Sequence, residues 1–81
     1  MKSEAPSEER AELLRRYAEL SERQRQVMEL ATKGRTNKEI GAEIGISPRT
    51  VEIYRARVME RMGAPTLADL VRIAISISEK P

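Results

Sequence analysis

The stretch from Asn37 to Met62, NKEIGAEIGISPRTVEIYRARVMERM, constrains the chain more than any other. Two apolar patterns of helical period flank a short turn at Gly45-Ile46-Ser47. The first carries Ile40 and Ile44, one helical turn apart. Ile46 follows in the turn, and the second pattern carries Val51, Tyr54, Val58 and Met62. At about 100° per residue these positions fall on one face of each helix. Gly45 suits the left-handed position that ends a helix. Ser47 is a good N-cap, and Pro48 fits the first helical position, where no N–H is needed. Helix, tight turn and capped second helix together predict a helix-turn-helix.

Placing Val51 at the centre of the inner face leaves Arg49, Glu52, Ile53, Ala56 and Glu60 on the outer one, with Thr50 and Arg57 on a flank. A purely solvated face carries Lys or Glu more often than Ile and Ala. Small apolar side chains pack on thymine methyl groups, Arg takes guanine, and Glu accepts from the cytosine amino group. The outer face is therefore chemically suited to the major groove. Charge follows the same division. Residues 33–62 hold seven basic and four acidic side chains, a net +3, although the whole chain carries only +2. The excess positive charge thus sits on the helix-turn-helix, as nucleic-acid binding requires. Tyr17 and Tyr54 are the only aromatic residues, so a base-stacking surface for single strands or RNA has little support.

Three strings, LSERQRQVMELATKG, NKEIGAEIGISPRTVEIYR and RMGAPTLADLVRIA, resemble the DNA-binding domain of the LuxR/FixJ-type (NarL/FixJ response-regulator) bacterial regulators. The resemblance covers roughly Leu20 to Ile77. It implies an all-α fold, a four-helix LuxR-type domain over residues 21–81, with residues 1–20 as a disordered terminus and helical linker. It implies base reading at Glu52, Ile53 and Ala56, to which the chemistry of the outer face adds Arg49. Phosphate contacts are expected at Thr36, Lys38, Thr50 and Arg57. It further implies a homodimer on DNA, formed through the last helix, with RNA polymerase as a candidate further partner. The resembling regulators carry a receiver domain ahead of such a segment. This chain reads either as a fragment or as a stand-alone regulator of the short kind.

Along the chain, Met1–Pro6 reads as a disordered terminus. Ser7 is placed to cap a helix whose first turn holds Glu8 and Glu9. Leu13, Leu14, Tyr17 and Leu20 form its narrow apolar stripe, and Glu12 and Arg16 are spaced for an i,i+4 pair. Ser21 and Gln24 form a capping box that opens the next helix. Val27, Met28, Leu30 and Ala31 are its inner face, Gly34 ends it, and Arg23 and Arg25 read as solvated surface. Thr36 and Glu39 form a second capping box, whose exposed N–H groups, ringed by Lys33, Arg35 and Lys38, favour an anion. Gly41 stands where the family usually has Ala; a helical Gly costs about 1 kcal/mol, which points to close packing of the two helices. Tyr54 replaces the family's usual His and reads as a packing residue, and Arg55 is placed to pair with Glu39 or to meet DNA.

After Gly63 and Pro65, Thr66 and Asp69 cap a last helix, LADLVRIAISIS. Leu67, Leu70, Ala74 and Ile77 are its expected core stripe. Val71, Ile73 and Ile75 widen the apolar surface, and a patch of this kind marks an interface. These three are the expected dimer contacts. A competing possibility is that the N-terminal helix folds back over the patch.

Other classes fit less well. A protein-interaction module on the same scaffold is one alternative, and a sigma-factor region 4-like domain is another. An enzyme is disfavoured, because the chain has no His, no Cys and one Asp. No cofactor or metal is expected. Without an apolar run of membrane length or a signal peptide, the expected location is the bacterial cytoplasm, on the nucleoid when bound, with no membrane partner.

Overall fold

The computed structural model describes residues 8–78, so the Ser7 cap and the disorder expected of Met1–Pro6 both lie outside the described residues. Five helices follow one another: α1 (Glu8–Glu19), α2 (Glu22–Thr32), α3 (Asn37–Ile44), α4 (Pro48–Met62) and α5 (Leu67–Ser78). There is no strand among the described residues. Local chemistry sets the boundaries. Ser21 accepts from the Gln24 N–H, and the Gln24 side chain accepts from the Ser21 N–H. Thr36 and Glu39 repeat that arrangement at α3. Gly34 and Arg35 close α2 by donating back to Ala31 and Leu30. Thr66 accepts from the Asp69 N–H at the start of α5.

Two apolar clusters share α4. Val27, Leu30 and Ala31 of α2 meet Ile40 of α3 and Val51 of α4, with Ile44, Ile46 and Tyr54 packed around them. Further along α4, Val58 and Met62 meet Leu20, Met28, Ala64 and Leu70, with Tyr17, Met59, Ile73, Ala74 and Ile77 alongside. Ile40, Val51 and Val58 are fully buried. Removing such a side chain from water stabilises a fold by roughly 1.5–3 kcal/mol. The inner faces expected of α2 and α4 are therefore the observed ones, including the packing role of Tyr54.

Several expectations need correction. Leu67 is 37 % exposed rather than core. It opens α5 one turn ahead of Leu70, and the buried packing begins at Leu70. Ile73, expected at an interface, packs against the second cluster and shares a cleft with Leu13 of α1, because α1 lies along that flank of α5. Arg23 and Arg25 are half-buried rather than solvated. Arg23 donates to the Ile44 carbonyl at 2.8 Å, and Arg25 donates to the Leu20 carbonyl at 3.0 Å with its guanidinium over the Tyr17 ring. The expected pair of Glu12 and Arg16 forms, at 3.2 Å.

Candidate nucleic-acid interface

The turn between α3 and α4 is built from backbone geometry. Gly45 takes a left-handed conformation with φ 78°, which a residue with a Cβ adopts at a cost. The N–H groups of Gly45 and Ile46 then donate to the Gly41 carbonyl at 2.8 and 3.0 Å. This brings the Ile46 carbonyl down onto Gly41, where a Cβ would stand 2.4 Å from that oxygen. Gly41 is thus a packing residue. What it admits is the turn's own carbonyl, rather than the facing helix. Ser47 caps α4 by accepting from the Thr50 N–H at 3.1 Å, and Pro48 occupies the first turn.

Because Val51, Val58 and Met62 are buried on one side of α4, its other side is presented outward. Arg49, Glu52, Ile53 and Ala56 are all exposed, Ile53 by 50 %. Arg49 and Glu52 form an ion pair at 3.2 Å across one helical turn. Both ends are solvent-facing, so this pair adds little stability and is free to open toward another partner. The four expected base-reading residues therefore lie together on one surface.

The expected phosphate residues lie at the start of α3 and along α4. Thr36 and Lys38 are exposed at the start of α3. The Thr36 hydroxyl accepts from the Glu39 N–H. Thr50 is half-buried and shares a hydroxyl–hydroxyl bond with Ser47 at 2.9 Å. Arg57 is exposed on the flank of α4, in a charged cleft it shares with Glu12, Arg16, Glu19, Glu60 and Arg61. Lys33 and Arg35 are exposed near the α3 start, Arg35 paired with Glu43 at 2.9 Å. Arg55 does not pair with Glu39. One oxygen of the Glu39 carboxylate accepts from the Thr36 N–H in the capping box, and Arg55 donates to Asn37 at 2.8 Å. That bond ties α4 to the first turn of α3. The cap from Arg23 on the Ile44 carbonyl fixes the other end of α3. Neither long-range bond has a local sequence signal.

The remaining expected site lies across the molecule. Val71 and Ile75 border an apolar groove of about 420 Å³ together with Leu14, Tyr17, Met28 and Ile77. Ile75 is 55 % exposed. Ile73 lies in a separate cleft with Glu9, Arg10 and Leu13 of α1. Among the described residues there is no group of His, Cys, Asp and Glu able to hold a metal ion, and no helix is long and apolar enough to cross a membrane.

Residues 18–74 match the profile of the bacterial regulatory proteins of the luxR family. The chain is 50 % identical over 72 residues to the transcriptional regulatory protein FixJ of Azorhizobium caulinodans, covering 89 % of this chain and 34 % of that protein. It is 44 % identical over 63 residues to the tetrathionate response regulatory protein TtrR of Salmonella typhimurium, covering 78 % and 31 %. Among solved structures, full-length FixJ from B. japonicum superposes with a TM-score of 0.78 at 48 % identity, over 85 % of this chain and 34 % of that one. The chain thus spans about a third of the length of these relatives.

Proposed function

Because this chain belongs to the luxR family of bacterial regulatory proteins, a family of DNA-binding regulators rather than of enzymes, we propose that it is the effector domain of a response regulator and reads duplex DNA with α4. Residues 21–81 are the DNA-binding unit, and residues 1–20 are the linker and extension ahead of it. The outer face of α4 lies in the major groove. Arg49 donates to guanine, Glu52 accepts from a cytosine amino group, and Ile53 and Ala56 pack on thymine methyls. The start of α3, with Thr36 and Lys38, and the flank of α4, with Thr50 and Arg57, hold the phosphate backbone and fix the register. The observation that carries this reading is the half-exposed Ile53 amid Arg49, Glu52 and Ala56, on a helix whose opposite side is fully buried.

The open groove supports a second element of the proposal. A second copy of this chain contacts Val71 and Ile75, and two copies sit on a two-fold related operator. Ile73 is withdrawn from that interface, since α1 covers its side of α5. The relatives' names describe transcription regulators, so RNA polymerase is the proposed further partner and the bacterial cytoplasm the proposed site of action.

Selection of bound duplexes from a random pool tests the reading. Enrichment of a two-fold related motif is the expected result. If no sequence is enriched and retention is equal for every duplex, α4 is not a reader.

A further inference from the structure

Among the described residues, four helices end under an arginine supplied by another helix. Arg25 reaches the Leu20 carbonyl after α1, and Arg23 the Ile44 carbonyl of α3. Arg16 donates to the Arg61 carbonyl of α4 at 3.2 Å, and Arg10 to the Ser76 carbonyl of α5 at 2.8 Å. The last carbonyls of a helix lack partners within it and carry partial negative charge, so a guanidinium both bonds them and complements the dipole. Arg10 and Arg16 both come from α1. One helix therefore ties down the ends of α4 and α5 together.

Arg16 is the arm that touches α4. Its Nε is held by Glu12 at 3.2 Å, which aims the guanidinium across the cleft. Gly63 leaves room for it, since a Cβ there would lie 3.1 Å from the Arg16 Nη1. Apart from this bond, the last turn of α4 is closed by the backbone donors of Gly63 and Ala64 to Glu60 and Met59. Arg57 lies one turn before Arg61, in the same cleft as Arg16.

We propose that Arg16 is a positioning residue for DNA binding: by bonding the Arg61 carbonyl it fixes the last turns of α4 and the direction in which Arg57 is presented. DNA affinity then depends on this one bond from α1 rather than on the docking of α1 as a whole, and α1 does not itself touch the duplex. The inference rests on the reading of α4 as the DNA-contacting helix.

The test compares wild type, Arg16→Ala, Arg10→Ala, Arg57→Ala and the Arg16→Ala/Arg57→Ala double variant. Affinity is measured by fluorescence anisotropy on a mixed-sequence duplex and on a duplex selected from the random pool, well below every melting temperature. Arg16→Ala is expected to weaken binding about three- to tenfold, the size of one lost hydrogen-bonded contact, with a shallower salt dependence. Amides of residues 60–62 should exchange faster in the free Arg16→Ala protein. Arg10→Ala loosens the same helix from α5 and should leave affinity within about twofold, because its bonds to the Ser76 and Ile77 carbonyls bear on α5 rather than on α4. In the Arg57→Ala background, Arg16→Ala should cost nothing further. Wild-type affinity in Arg16→Ala overturns the proposal. So does an equal loss in Arg10→Ala, which makes docking of α1 as a whole responsible, or a full additive loss in the double variant, which makes Arg16 a direct contact. If the wild type binds neither duplex, the reading of α4 fails, and this inference fails with it.

Discussion

Val51 and Val58 stand two turns apart on the same face of α4, yet they belong to different cores. Val51 seals α2 and α3 against α4, and Val58 seals α1 and α5 against it. Around Val51 the helices are held mainly by local devices, two capping boxes, a tight glycine turn and a proline at the start of α4, with Arg23 to Ile44 and Arg55 to Asn37 as added long-range ties. Around Val58 they are held by side chains reaching far along the sequence, such as Arg16 to Arg61 and Arg10 to Ser76. The outer surfaces differ in the same way. The reading unit presents a mixed polar and apolar face, and the α1–α5 side presents an apolar groove. Local devices, reinforced by the bonds from Arg23 and Arg55, fix the recognition element. Long-range ties leave the second region open to control by whatever moves α1.

The comparison breaks first at the cores. Ile40→Ala and Met62→Ala strike one cluster each, and each should cost about 2–5 kcal/mol. Because α4 runs through both clusters, calorimetry should show a single transition in each variant. Two separate transitions would mean that the clusters are independent. Next comes the turn. Gly41→Val drives a side chain into the Ile46 carbonyl and should cost about 1–3 kcal/mol by overpacking. It should also weaken DNA binding in protein that is still folded, and chemical denaturation with parallel titration checks both. Glu52→Ala sharpens the division on the functional side. It should relax preference at one base-pair position by about 1–3 kcal/mol and leave the melting curve unchanged. Equal loss on selected and scrambled duplexes would exclude Glu52 as a reader.

Smaller effects belong to the α1–α5 side. Ile75→Arg should alter stability by no more than about 0.5 kcal/mol, since the residue is more than half exposed. It should abolish cooperative occupancy of a double site while single half-site binding persists, as gel-shift titration would reveal. Hydrogen bonds from Arg15, then Arg16, hold the Glu12 carboxyl below its ordinary value. A depressed folded value means that this contribution is present above about pH 4.3, the unfolded value, and is lost as pH falls through the folded one. Acid titration of wild type and Glu12→Gln should therefore converge at low pH. The difference should be small, because the pair is exposed.

How much was legible follows the same division. The capping boxes, the helix ends and the inner faces of α2 and α4 are written in neighbouring residues, so spacing alone exposes them. Gly41 was legible as a packing residue, but its partner was not, because the Ile46 carbonyl reaches it only after the turn closes. Arg23 and Arg25 looked like solvated charge, because no local pattern announces a donor to a carbonyl across the fold. Arg55 is placed by spacing to meet Glu39 or DNA; it does not pair with Glu39 and donates instead to Asn37, a partner that no local pattern announces. The width of the apolar surface on α5 was visible, but its division was not. Ile73 packs against the second cluster beside Leu13 of α1, while Ile75 stays more than half exposed in the groove beside Leu14 and Tyr17, and that depends on where α1 lies. The resemblance to the luxR family supplied base reading at Glu52, Ile53 and Ala56, and the chemistry of the outer face added Arg49. The geometry adds that Arg49, Glu52, Ile53 and Ala56 share one exposed surface.

Resonance mapping on addition of a single half-site duplex tests most directly whether α4 and the α3 turn form the DNA surface. Backbone amide shifts of the labelled protein, followed through the titration, report which region meets the DNA. The expected result is that the largest changes fall at residues 36–38 and 47–57, with smaller ones at the α1–α4 cleft and least along residues 71–78. Largest changes along α1 and α5, with residues 47–57 unmoved, would contradict it.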